Sequence, residues 1–246
     1  MRSSRELALS ALARLKPART PRPLAAEPSW SFPELAGRLC ELSGARGGTL
    51  SLAARLVHDA QRRGETVAWV STKRSSFFPP DLEAGGVDLA SLVVVRTALA
   101  SANARAADFL MRSGAFGLVV LELDLRSAEP SGVPLALQSR LLAAAQAHDA
   151  VVLCLSEKPR GASSLGSLVS FHGEVELARA RPADSSSDSN SGSNSGSNSG
   201  PSSNSLDGAS ADSDGRFTCT LTVRKDKRRA PGWRHVEVCR GPLGLR

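Results

Sequence analysis

Five short apolar runs set the tightest limit on the fold: "RLCELS" from Arg38, "TVAWVS" from Thr66, "SLVVVR" from Ser91, "GLVVLEL" from Gly117 and "AVVLCLS" from Ala150. Each is rich in Val and Leu, is bounded by turn residues, and is too short for a helix. Runs that are apolar at nearly every position, rather than at alternate ones, suit strands covered on both faces. Between them lie stretches with helical periodicity: Leu50 to Arg63 with Gly64 as the stop, Ala98 to Arg112 with Gly114 as the stop, and Pro134 to Ala147. Strands alternating with helices predict an α/β domain whose mainly parallel sheet is flanked by helices. Ligands in such sheets bind beyond the carboxyl ends of the strands.

The 246 residues suit one such domain with decoration. Residues 1–30 read as a basic N-terminal helix and linker, with Leu7, Ala8, Ala11, Leu12 and Leu15 along one face. The core is assigned to 31–182 and 216–246. The tract between them, 183–215, is a Ser/Asn/Gly run with five Asp and a single Leu. It has too little apolar surface to offset the entropy of ordering and is expected to be a disordered insertion. After it, "FTCTLTVRK" and "WRHVEVCR" alternate apolar and polar residues, which predicts a C-terminal antiparallel strand pair. Two strands alone are barely stable in water, so the pair must extend the sheet, with "FHGEVELARAR" as its neighbour.

Charge is unevenly spread. Residues 216–246 hold nine basic and two acidic side chains, and residues 1–22 hold six and one. Basic ends favour a polyanion or an acidic protein surface as partner, with solubilising charge as the alternative. The four cysteines stand singly, without CxxC or Cys/His spacing, so no metal site is expected and the thiols read as free in a reducing cytosol. No apolar run approaches the ~18 residues of a membrane span. The expected location is cytoplasmic, with no membrane partner.

The stretch "CELSGARGGTLSLAARL" has the outline of a phosphate-binding loop: a strand end, a glycine-rich turn and a helix. A working P-loop reads GxxxxGK[ST]. From Gly44 to Gly48 one residue is missing; Gly47 and Gly48 are followed by Thr49 where lysine belongs and by Leu50 where the magnesium-binding hydroxyl belongs. Ser51 is the nearest substitute hydroxyl. The glycines are equally well explained by strand-to-helix geometry. Either no cofactor binds, or ATP is held weakly.

"FPELAGRLCELSG", "MRSGAFGLVVLELD", "VSFHGEVELARARP" and "TLTVRKDKRRAP", in this order, resemble the RecA recombinase core over roughly residues 31–182 and 216–239. The resemblance implies that Glu122 stands at the Walker B position and Lys73 at the water-orienting position. Phosphoryl transfer needs lysine, metal and positioned water together, so no catalytic residue is assigned. Lys225 and Lys227 match the element whose lysines reach a neighbouring subunit's ATP in recombinase filaments. With Arg228, Arg229 and Arg234 they form a candidate partner or DNA contact, and a solvated basic turn is the plainer alternative. The segments matching the DNA-holding loops are 124–133 and 157–168.

The degraded site and small size resemble the ImuA (SulA-like) family of SOS-mutagenesis accessory proteins. That resemblance implies a part in translesion synthesis, with RecA recombinase, an ImuB-like polymerase-fold protein and an error-prone polymerase as partners, and single-stranded DNA as an open question. Two other readings stay open: a divergent DNA-stimulated ATPase, and a filament-capping inhibitor.

Overall fold

The strands of the sheet are β1 (Arg38–Gly44), β2 (Val67–Thr72), β3 (Leu92–Thr97), β4 (Leu118–Leu123), β5 (Val151–Ser156), β6 (Phe171–Arg179), β7 (Arg216–Asp226) and β8 (Arg234–Arg240). A computed structural model describes residues 27–123, 133–179 and 216–240. Most of the N-terminal segment, the 124–132 stretch and the Ser/Asn/Gly tract therefore lie outside the described residues. The strand order is β3-β2-β4-β5-β1-β6-β7-β8. The first six in that order run parallel, and β7 and β8 add antiparallel to β6. The expected α/β class and hairpin extension are both present.

The helices are α1 (Phe32–Leu35), α2 (Arg46–Arg62), α3 (Ala100–Arg112) and α4 (Leu135–His148). The strands' continuous apolar runs resolve into two faces. Cys40, Leu42, Trp69, Val120 and Leu153 pack with Leu52, Leu56 and Ala60 of α2. Leu39, Val70, Val119, Leu121 and Val152 pack with Ala107 and Met111 of α3 and Leu141 and Ala145 of α4. Among the described residues, the hairpin is covered on one side only. Its inward residues Cys219, Leu221 and Val223 join the α2 face, while Val236 and Val238 are exposed.

A buried ion pair ties the start of β1 to the end of β7. Arg38 Nη2 lies 2.6 Å from Asp226 Oδ1, with both side chains essentially inaccessible. Arg38 also donates to Ser170 O at 2.6 Å, and its guanidinium sits 5.4 Å from the Phe171 ring centroid. Such a pair contributes little net stability but is costly to break from one side.

Candidate functional site

α2 starts four residues earlier than its apolar periodicity predicts, at Arg46 rather than Leu50. Ala45 alone separates it from β1, so Gly47, Gly48 and Thr49 belong to its first turn. The periodicity misses this turn because its packing surface is made of glycine. Gly44 has φ 130°, and a side chain there would run into the Val175 carbonyl of β6. A Cβ on Gly48 would lie 2.8 Å from Val175 Cγ1, and one on Gly47 would lie 3.4 Å from Leu177 Cδ2. These glycines let the helix lie directly on β6.

The remaining loop positions are turned inward. Thr49 is buried and its Oγ1 donates to Arg46 O at 3.0 Å. Leu50 packs against the apolar core. Ser51 Oγ donates back to Gly47 O at 2.9 Å. Lys73 is exposed past the end of β2. Its backbone N–H donates to Thr97 O at 2.9 Å, and no hydrogen bond or ion pair among the described residues brings its ammonium to Glu122.

Arg46, which the motif comparison passes over, holds the centre of the site. Its Nη2 lies 2.7 Å from Glu122 Oε2 and donates to Ser75 Oγ at 2.9 Å, and its Nη1 lies 3.2 Å from Glu157 Oε1. Glu122 has two further donors: Ser75 Oγ to Oε2 and Trp69 Nε1 to Oε1, each at 2.7 Å. Trp69 is itself clamped flat against Phe77, with ring centroids 4.0 Å apart and planes within 1°. Both oxygens of Glu122 are therefore occupied from within the chain.

The opening above Gly44 and Arg46 is a broad depression of about 760 Å³, also lined by Glu157, Lys158 and Pro159. Lys158 is committed to the fully buried Glu41 at 2.6 Å, which also takes Ser156 Oγ at 2.7 Å. Among the described residues, Arg46 thus pairs with Glu122 and Glu157, and Lys158 with Glu41. A phosphate entering here would have to displace the Arg46 ion pairs. Beside it, His172 meets Ser43 Oγ at 2.8 Å. Burial is the main reason that His172 titrates below the ordinary histidine range. No group of three His, Cys, Asp or Glu residues is arranged to hold a metal among the described residues.

The basic C-terminal candidates do not form one free patch. Lys225 Nζ donates to Gly166 O at 3.1 Å and Lys227 Nζ to Ser167 O at 2.5 Å. Burial, then the neighbouring Lys227 charge, lowers the Lys225 pKa. Arg228 Nη2 donates to Ala36 O at 2.8 Å, and Arg229 Nε pairs with Glu34 at 2.6 Å. Both arginines hold the end of α1. Arg234 is exposed on β8. In the 157–168 segment, Arg160 pairs with Glu176 at 2.8 Å. The other segment proposed for DNA, 124–133, lies almost wholly outside the described residues.

Compared with curated proteins, part of this chain is similar to Protein RecA of Fusobacterium nucleatum subsp. nucleatum, at 33% identity over 87 residues. This similarity and the mostly parallel sheet fit a RecA-like fold. The match covers 35% of this chain and 23% of that RecA protein. No family model matches the chain. No helix among the described residues is long and apolar enough to cross a membrane.

Proposed function

We propose that this chain is a catalytically degenerate, RecA-like accessory protein of bacterial DNA repair, with a role in SOS mutagenesis of the ImuA kind. It binds a recombinase and a polymerase-fold partner and turns over no ATP. The observation that carries the reading is the Arg46–Glu122 pair at 2.7 Å, set in a RecA-like fold whose loop has Thr49 for lysine and Leu50 for the metal-binding hydroxyl. Catalysis of phosphoryl transfer depends on charges held ready for metal and phosphate; here they neutralise one another. Lys225 and Lys227 are the residues offered to a neighbouring recombinase's nucleotide, exchanging the 164–167 loop for its phosphates.

The test is ATP hydrolysis by a bacterial RecA on single-stranded DNA, with and without this protein, beside this protein alone. The expected result is silence alone and a changed RecA rate in the mixture, with the change lost when Lys225→Ala and Lys227→Ala are combined. Turnover by the chain alone, abolished by Glu122→Gln, would overturn the proposal in favour of a divergent ATPase. An unchanged RecA rate would remove the recombinase as partner.

A further inference from the structure

β8 ends the sheet, so its outer backbone edge meets no other strand among the described residues. Natural edges are usually blunted by central charge, proline or a bulge. β8 has neither proline nor a bulge, and its central charge is turned inward. Its one acid, Glu237, faces α2 and lies 3.0 Å from Arg55. The opposite face carries Arg234, Val236, Val238 and Arg240 at alternate positions, beside Thr222, Thr220 and Thr218 of β7. Val236 and Val238 are 59% and 61% exposed. Among the described residues no helix covers this side; α2 packs on the other one.

We propose that the β8 edge is a docking site for an extended segment of a partner protein, added as a ninth strand. That segment carries two β-branched residues at alternate positions and an acid two residues beyond them. Backbone hydrogen bonds along the edge would supply affinity, and the alternate side chains specificity. The valines stand about 7 Å apart along the strand, which matches residues i and i+2 of an added strand. The acid is assigned by charge: Arg234 is exposed at one end of the valine pair. In one register a second copy of this chain is disfavoured. Antiparallel pairing that sets Val236 on Val238 of the copy also sets Arg234 on Arg240 and Glu237 on Glu237, and like charges directly opposite are destabilising.

The probe is a labelled synthetic peptide, Ser-Glu-Thr-Val-Thr-Val-Thr-Glu-Ser, with a version carrying Lys in place of both Glu residues. Binding to the full chain is read by fluorescence anisotropy, and its place by amide hydrogen exchange. The acidic peptide is expected to bind and to slow exchange in β8. Val236→Thr with Val238→Thr, which keeps the β-branched shape, should weaken binding by about tenfold. Arg234→Glu should reverse the preference towards the lysine peptide, a gain that a misfolded variant could not give. The proposal is overturned by absent binding, by equal binding of the two peptides, by protection away from β8, or by dimerisation of the chain that the valine double variant abolishes.

Discussion

At the carboxyl ends of β1 and β4, the charges answer one another: Arg46 meets Glu122 and Glu157, and Lys158 meets Glu41. On β8, the exposed arginine and valine pair face outward along an edge that meets no other strand among the described residues. A phosphate entering the first region must break an internal ion pair. A strand arriving at the second meets the exposed Val236 and Val238. The difference teaches that charges at the carboxyl ends of the parallel strands can be paired within the chain while side chains on the hairpin stay open to solvent. It also suggests which residues to alter if the contrast is to be abolished or made sharper.

The largest effect is expected at Gly44, where left-handed backbone and contact with the Val175 carbonyl coincide. Gly44→Ala should lower unfolding free energy by about 3 kcal/mol or more, or prevent folding, as read by urea denaturation. This would confirm that the glycines serve packing. Arg46→Met comes next, because it leaves Glu122 with two neutral donors and no cation. A loss of about 2 kcal/mol is expected, the pair being partly solvent-screened. Adding Glu122→Gln should recover much of it in a double-mutant cycle. Recovery with no gain of labelled-ATP binding would show that the pair holds structure and does not merely cover a functional nucleotide site.

A smaller effect should follow pH through His172. Burial lowers its pKa first of all, with Lys158 and Lys225 acting the same way and Glu41 and Glu174 opposing them. The unfolded chain takes up a proton near pH ~6.5 where the fold does not. Stability due to the neutral ring is therefore complete above about pH 6.5 and lost as pH falls towards the folded pKa. His172→Asn should flatten that slope in urea midpoints measured from about pH 7.5 to 5. The smallest effect is chemical. Cys40 is pushed up to about 12 by burial, and Cys154 is also raised by burial. Cys239, part-exposed and 4.0 Å from the Cys219 sulfur, is lowered first by that hydrogen bond. Iodoacetamide should label Cys239 first in the folded chain, as followed by peptide mass mapping.

The sheet was legible because five apolar runs and three periodic stretches point the same way, and because the period-two alternation of "FTCTLTVRK" separates a one-sided hairpin from two-sided strands. The start of α2 was not, since glycines leave no apolar stripe even where they pack most closely. Gly44, Thr49, Leu50 and Glu122 were found by comparison with a motif. Arg46, Trp69, Ser75 and Glu157 were missed because they lie in three separate segments that only the fold brings together. An arginine inside "GARGG" was the available signal. Lys225, Lys227, Arg228 and Arg229 look like one basic patch in sequence. In space two of them hold α1 and two hold the 164–167 loop, partners far away along the chain that no local pattern discloses.

The pairing of Arg38 with Asp226 has a consequence for the order of folding. β1 is an inner strand, and the loop closed by this contact spans 188 residues. At the usual pace of synthesis, roughly 5–20 residues per second, Arg38 waits about 10–40 s for its counter-ion. Until then a guanidinium must stay hydrated at the root of the central strand. The parallel strands can assemble during that interval, but the α1 end of β1 cannot be sealed until the hairpin has emerged. A ribosome-bound chain halted before residue 226 should therefore expose this corner to protease, and one released beyond it should not.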